Sequence, residues 1–435
     1  MGNLYIEHIA IGEIMSYAKN AKNHPEHQVQ QIARSIKEFG FNNPIIVDDK
    51  NEIVAGHGRL MAAQIVGLDT VPVIRLSHLS EAQKRAYRLA DNKIAANGGW
   101  NEDVLKLELS ELEALCDFDI QLTGFTTLEI DVMLDEKADK NKVDEKGNAI
   151  PFIPDEEIVS QPGDLWLIGN HRLLCGSSLE ESNFEKLMDG KLADIVSDDP
   201  PFNLSARTIG SSGKIKHKDF KMGGGEMSQE EFTKFLTTNF ALCSKYAKPT
   251  ALAYKWMDFR HIREIMDAGE SSFGRLLNLC VWSKPIGGMG SFYRSRHELC
   301  FIFSNGDKSS YTNNIELGKH GRYRTNIWEY GSVNCFGHHK DDLKYHSTVK
   351  PYEMIADIFL DASTRGGIVL DTFMGSGTSL IAAEKTKRIC YGIEIEPLYV
   401  DTAIRRFHDL FGIDAIHEQS DKTYSELLAQ KKGAE

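Results

Sequence analysis

The sequence predicts an α/β protein in two unequal parts: a small α+β domain in front and a larger domain built on a mostly parallel sheet with helices on both faces. Three observations carry this. Short apolar runs alternate with helix-period segments through the second part. A glycine turn at Phe373 to Thr378 joins one such run to a helix. Residues 135–157, DEKADKNKVDEKGNAIPFIPDEE, are nearly all charged or turn-forming, and such a stretch cannot bury enough apolar surface to fold alone. The expected layout is a front domain at 1–135, a charged linker at 136–158, a main domain at 159–417 and a polar, fraying tail at 418–435.

In the front part, residues 26–39 place Val29, Ile32, Ile36 and Phe39 on one helical face, and Gly40 ends the helix. Residues 44–47 and 53–55 read as strands, the second leading into Gly56-His57-Gly58-Arg59. Residues 60–66 form a helix, 71–75 a strand, and 80–92 a helix capped by Ser80. In the main part, 173–175 is a strand, 183–188 a helix, and 193–197 an apolar strand running into Asp198-Asp199-Pro200-Pro201-Phe202. Ser228 and Glu231 form a capping box for a helix reaching about Tyr246. Residues 251–256 are a strand, and 259–268 a helix closed by Gly269. Residues 277–282 and 298–303 are two further strands. The series closes with strand 368–372, turn 373–378, helix 379–386, strand 390–395 and helix 399–411.

Composition narrows the function classes. The hydrophobic fraction of 41% and charged fraction of 26% are those of a folded globular protein. No apolar run approaches the ~20 residues of a membrane span, so no membrane partner is expected. The seven cysteines are scattered without a CxxC pair, which points to a reducing, cytoplasmic setting. His338, His339 and His346 offer no convincing ligand set, so no metal is expected. The net charge of −13 argues against nucleic acid until it is divided by region. Residues 203–350 carry 22 Lys+Arg against 14 Asp+Glu, a net of +8, which leaves −21 on the remainder.

Two local motifs carry chemistry. In Asp371-Thr372-Phe373-Met374-Gly375-Ser376-Gly377-Thr378 the glycines let a ligand approach the backbone at a helix start. About 20 residues on, a strand ends in Glu394, where a carboxylate can accept both hydroxyls of a ribose. That spacing predicts an adenosine-containing cofactor. It is no Walker A loop, because no Gly-Lys-Ser/Thr follows, and Leu380 stands where a dinucleotide fold needs a third glycine. In Asp199-Pro200-Pro201-Phe202, tandem prolines fix the backbone and leave carbonyl acceptors beside a carboxylate and an aromatic face. That set suits an exocyclic amino group on a flat ring.

Together these motifs resemble the amino-group DNA methyltransferases, which methylate adenine N6 or cytosine N4 with S-adenosylmethionine. Asp199 to Phe202 fits the family's [DNS]PP[YFW] tetrad, and Phe373 to Gly377 fits its FxGxG loop. His346-Ser347-Thr348-Val349-Lys350-Pro351 fits its His-x-Thr-x-Lys-Pro run. The tetrad precedes the cofactor loop, the order of the β group. The resemblance implies a Rossmann-like methyltransferase sheet in permuted motif order, with target recognition in about 203–345. It implies catalysis by Asp199, Pro200, Pro201 and Phe202, and cofactor contacts from Asp371, Phe373, Gly375, Gly377, Thr378, Glu394, Thr348 and Lys350. Two departures stand out: Thr372 replaces a usual proline, and Gly176-Ser177-Ser178 replaces a frequent Gly-Asp. Asp at position 199 favours adenine N6. Cytosine N4 is the alternative, and a non-catalytic ParB-like partition adaptor with a relic methyltransferase fold is a third reading. All seven cysteines follow residues other than proline, which excludes a Pro-Cys nucleophile for C5 methylation.

The implied substrate is double-stranded DNA, as in restriction-modification, with the target base extruded. Lys214, Lys216, Lys218 and Lys221 in a Gly/Ser-rich stretch, and Arg294 and Arg296, are the expected phosphate contacts. Arg322, Arg324, Tyr293 and Tyr323 could add phosphate or base contacts. A homodimer is compatible with this reading. The front segment, with Asn43-Pro44-Ile45-Ile46-Val47 and Gly56-His57-Gly58-Arg59, resembles the N-terminal domain of ParB-like partition proteins over about residues 3–100. That resemblance implies a nucleotide triphosphate held at Gly56, His57, Gly58 and Arg59, where two glycines, a cation and a helix start coincide.

Overall fold

The computed structural model describes residues 4–115, 119–134, 144–151, 153–204, 225–285, 287, 292–306, 310–318, 322–331 and 349–433. The chain divides into two compact units, Met1–Leu134 and Asp135–Glu435. Among the described residues no helix is long and apolar enough to cross a membrane.

The first unit holds a four-stranded sheet. Its strands are β1 (Ile6–Ala10), β2 (Ile45–Val47), β3 (Ile53–Ala55) and β4 (Thr70–Arg75), in the order β1-β4-β2-β3. Its helices are α1 (Glu26–Phe39), α2 (His57–Val66), α3 (Glu81–Ala96), α4 (Glu102–Ala114) and α5 (Thr127–Leu134). Val29 and Ala33 of α1 are buried against Ala62 of α2. Ser80 caps α3 in a full capping box with Gln83. The pair α4 and α5 was not expected. Its signal is an Asn101 cap followed by Leu105, Leu109 and Leu112 at helical spacing.

The second unit begins with the short helix α6 (Glu145–Asn148). Strands β5 (Leu165–Ile168), β6 (His171–Cys175) and β7 (Ala193–Asp198) follow, with α7 (Glu181–Met188) between the last two. Next come α8 (Gln229–Lys245), β8 (Ala247–Met257), α9 (Ile262–Ser272), β9 (Leu276–Ser283), β10 (His297–Ser304) and β11 (Ile327–Glu329). The remainder is α10 (Tyr352–Ala362), β12 (Ile368–Asp371), α11 (Thr378–Lys385), β13 (Ile389–Glu394), α12 (Pro397–Phe411), β14 (Ile416–His417) and α13 (Tyr424–Gly433). The strands form one sheet in the order β11-β9-β10-β8-β7-β12-β13-β6-β5-β14. From β8 to β6 all pairings are parallel, while β10 and β9 on one flank and β5 and β14 on the other pair antiparallel. Two apolar cores result, one around Trp166, Trp256 and Phe359 and the other around Phe184, Phe240 and Phe303.

The chain leaves β7 through α8 for β8 on one side, and leaves β12 through α11 for β13 on the other. The strand order therefore reverses between β7 and β12, and in sheets of this kind ligands bind at the carboxyl ends of the strands at such a reversal. Asp199 follows the first strand and the glycine turn follows the second.

Three expectations change. Gly269 does not end its helix: α9 runs through it to Ser272, and a Cβ there would lie 2.2 Å from Phe303 Cζ, so the glycine serves close packing. The tail does not fray from 418. Tyr424 of α13 is buried, and its hydroxyl donates to Asp401 Oδ2 at 2.9 Å. Part of the stretch read as a linker is built into this unit, since Asp144 and Asn148 bond to Tyr352 and Glu353.

Candidate active site

Asp199 stands one residue beyond β7. Its Oδ2 receives the Lys350 ammonium, which also reaches Glu298 Oε2 at 3.2 Å. Lys284 donates to the other oxygen of Glu298. Lys350 therefore sits between two carboxylates, its own side chain only 4% exposed, and they raise its pKa against the opposing effect of burial. Asp199 Oδ1 is different: it is buried and has no hydrogen-bond partner among the described residues. Burial, offset by Lys350 and reinforced by Glu298 and Asp198, pushes the Asp199 carboxyl up to about 6. Phe202 packs against both apolar cores, and the Lys350 ammonium lies 5.7 Å from its ring centroid. Asn203, in the left-handed region at φ 51°, accepts the Gly225 and Met227 N–H groups and donates to Met227 O. It thereby ties the residue after the tetrad to the start of α8.

A second charged pair lies beneath the tetrad. Lys255 and Asp198 are both fully buried, Nζ to Oδ1 2.8 Å. The Thr372 hydroxyl donates to Asp198 Oδ2 at 2.7 Å, and Asn239 Nδ2 donates to Thr372 Oγ1 at 3.0 Å. The threonine that replaces the usual proline thus fastens the glycine turn to the tetrad strand.

At the turn, Asp371 Oδ1 accepts the Phe373 N–H at 3.0 Å. Burial pushes this carboxyl up to about 7. Gly377, at φ 85°, opens α11, and a Cβ there would meet Ala403 Cβ at 2.7 Å. Gly375, at φ 53°, faces open space, with nothing nearer than 4.0 Å to a Cβ. The turn closes on the next strand through Gly375 N–H to Glu394 Oε2 at 2.8 Å, while Glu394 Oε1 accepts the Glu396 N–H. Glu394 is buried and pushed up to about 7 by desolvation. Further hydroxyl donors would favour its charged form. Arg406 Nη1 reaches Ser376 O and Thr378 Oγ1.

The sheet therefore brings Asp199, Asp371, Gly375, Gly377 and Glu394 to one edge. Lys350, expected with the cofactor, has its ammonium on Asp199. Thr348, Lys214, Lys216, Lys218, Lys221, His338, His339 and His346 lie outside the described residues. Arg294 and Arg296 are exposed beside Phe292 and Tyr293. Arg322 and Arg324 are not DNA-facing cations: both are buried against Asp357 and Asp361 of α10, where they anchor the chain before β11. Sequence reasoning missed Glu298, Lys255 and Arg406. Lys255 is a single charged residue in an apolar strand, the signature of a buried partner, whereas Glu298 follows Arg296 and His297 and Arg406 follows Arg405, so neither stands out locally.

Residues 193–405 match the DNA methylase family of N6/N4 type, spanning the tetrad, the glycine turn and Glu394. The chain belongs to this family. Its front carries a ParB N-terminal domain at 2–93 and a ParB-methyltransferase helix-turn-helix domain at 103–162. This second match covers α4, α5 and the stretch read as a linker. The front of the methylase is 49% identical over 82 residues to the ParB-like nuclease domain-containing protein YnaK of Escherichia coli (strain K12), covering 19% of this chain and 94% of that one. Its remainder is 24% identical over 273 residues to the type II methyltransferase M.HpaI of Haemophilus parainfluenzae, covering 59% and 81%. Among solved structures, the M1.HpyAVI–SAM complex aligns at 21% identity with a TM-score of 0.40, covering 54% of the methylase and 97% of that chain.

Proposed function

We propose that this methylase transfers the methyl group of S-adenosylmethionine to the exocyclic N6 of adenine in duplex DNA. The observation that carries the reading is Asp199 Oδ1, a buried acceptor without a partner among the described residues, at the strand-order reversal. A base amino group placed there supplies the missing donor. The amino lone pair is delocalised into the ring. Accepting its hydrogens at Asp199 and at the Pro200 carbonyl draws the nitrogen toward tetrahedral geometry, and Phe202 offers a stacking face. The cofactor supplies an electrophilic methyl on a sulfonium. Gly375 and Glu394 fit its adenosine part, because the turn leaves backbone approach open and the buried carboxylate can take hydroxyl donors. Arg294 and Arg296, with the lysines of the stretch after the tetrad, would meet DNA phosphates.

Asp at position 199 favours adenine, but the same acceptors would serve cytosine N4. Labelled methyl transfer to genomic duplex DNA, followed by nucleoside analysis, is expected to give N6-methyladenine. N4-methylcytosine would replace the adenine reading, and no incorporation would favour the partition-adaptor reading.

For the front unit we propose nucleotide triphosphate binding at Gly56 to Arg59. Gly56, at φ 110°, opens α2 without a side-chain cap. Two groups there are already engaged: Arg59 donates to the Asn43 and Pro44 carbonyls, and His57 Nε2 accepts the Tyr17 N–H at 3.3 Å. The backbone at the helix start therefore carries this proposal. Calorimetric titration of the full chain with each of the four triphosphates is expected to give heat with at least one. Four flat titrations would end the idea.

A further inference from the structure

Residues 144–148, Asp-Glu-Lys-Gly-Asn, have the composition of a linker, yet they are docked with high specificity. The Asp144 N–H donates to Glu353 Oε1 at 2.8 Å, and Asn148 Nδ2 donates to Glu353 Oε2 at 3.0 Å. In return, the Tyr352 N–H donates to Asn148 Oδ1 at 3.1 Å and the Tyr352 hydroxyl to Asp144 Oδ2 at 2.9 Å. Gly147 lies flat against the Tyr352 ring, where a Cβ would stand 2.5 Å from Cε1. Only a glycine permits that approach.

The docked segment is joined to the glycine turn through one side chain. Arg406 Nη2 donates to the Gly147 carbonyl at 2.9 Å. Its Nη1 donates to Ser376 O at 3.1 Å and Thr378 Oγ1 at 3.2 Å. Arg406 is 2% exposed and has no carboxylate in ion-pair contact among the described residues. Burial pushes its pKa down to about 10. A desolvated guanidinium is costly, and among the described residues the hydrogen bonds of this one go to neutral acceptors on the turn and the docked segment, with the Glu353 charge as a partial offset. The segment also grips the first turn of α10, immediately after Lys350 and Pro351. It therefore touches the supports of both halves of the site.

We propose that residues 144–148 and Arg406 form a strap that sets the position of the glycine turn, so that cofactor affinity depends on a docked segment lying outside the residues that match the methylase family. Arg406 and Gly147 are positioning residues in this scheme. It rests on S-adenosylmethionine being the ligand of the turn.

The test is calorimetric titration of S-adenosylmethionine into the full chain, comparing wild type with Gly147→Val, Arg406→Met and the double variant. Each single change is expected to weaken binding about tenfold, because a turn displaced by a fraction of an ångström loses its fit. The double variant is expected to bind about as weakly as the worse single one, since both cut the same connection. The turnover number of Gly147→Val at saturating cofactor is expected to stay within about twofold of wild type, giving a split between KM and kcat. Should the valine or methionine variant fail to fold by circular dichroism, Tyr352→Phe removes only the hydroxyl bond to Asp144 and is expected to weaken binding about threefold. Wild-type affinity in folded Gly147→Val or in Tyr352→Phe, or independent effects in the double variant, would overturn the strap. A wild type that binds no S-adenosylmethionine would instead remove the cofactor reading beneath it.

Discussion

Asp199→Ala is expected to lower methyl transfer about a thousandfold, roughly 4 kcal/mol of transition-state stabilisation, while cofactor affinity stays within about threefold. The split follows from where the side chain points its oxygens. Oδ2 belongs to Lys350, and Oδ1 has no partner among the described residues. Neither oxygen bonds to the glycine turn or to Glu394 among the described residues, so the cofactor surface is left intact. Truncation also leaves Lys350 with Glu298 as a remaining counter-ion at 3.2 Å, which keeps the buried ammonium compensated. Single-turnover rates with labelled cofactor, alongside calorimetric cofactor binding, separate the two quantities. Equal losses in both would mean that Asp199 holds the fold of the site rather than the amino group.

Titration gives the same prediction a second face. Burial pushes the Asp199 carboxyl up to about 6. The charged form is the acceptor, so protonation removes charge and one lone pair, and the rate must fall as pH drops through that value. An ordinary carboxylate would keep its rate down to about pH 4. Asp199→Asn keeps an acceptor oxygen without a titrating proton. It is expected to be slower than wild type, by about 10- to 100-fold, and flat across the same window. A wild-type acid limb that survives in the asparagine variant would assign the titration to another group.

Much of this site is legible in the chain because its signals are local. A glycine turn between strand and helix, a Pro-Pro step after an apolar strand and an acid at the next strand end each depend on a few neighbouring residues. The Ser228–Glu231 box is of the same kind, and both of its reciprocal bonds form. What could not be read is the set of long-range polar pairings. Lys255 meets Asp198 across 57 residues and Lys350 meets Asp199 across 151. Nothing in the local pattern of Ala-Leu-Ala-Tyr-Lys-Trp-Met names the carboxylate, although a lysine in so apolar a strand requires one. The strap fails for the converse reason. Its composition gives the correct prior for a linker, and only the shape of Tyr352 and the reach of Arg406 make a docked element of it.

Lys255→Met is expected to destabilise the second unit by about 3–5 kcal/mol, the largest stability effect predicted for a single side chain here. Lys255 and Asp198 are both fully buried. Removing the ammonium leaves a carboxylate out of water with only neutral hydrogen-bond donors among the described residues, the Thr372 hydroxyl at 2.7 Å and the Cys243 thiol at 3.8 Å. Chemical denaturation, with the unfolding of the second unit followed by its tryptophans, measures the loss. Replacing both partners, Lys255→Met with Asp198→Leu, is expected to recover the part due to the unpaired charge but not the Thr372 bond that Asp198 accepts. Thr372→Pro brings back the residue usual in the family, yet here it should cost about 1–3 kcal/mol. Proline cannot donate to Asp198 or accept from Asn239, and in this chain those bonds tie the glycine turn to the tetrad strand. A Lys255→Met protein as stable as wild type would mean that the buried pair adds nothing to the fold and that apolar packing alone sets the tetrad on its strand.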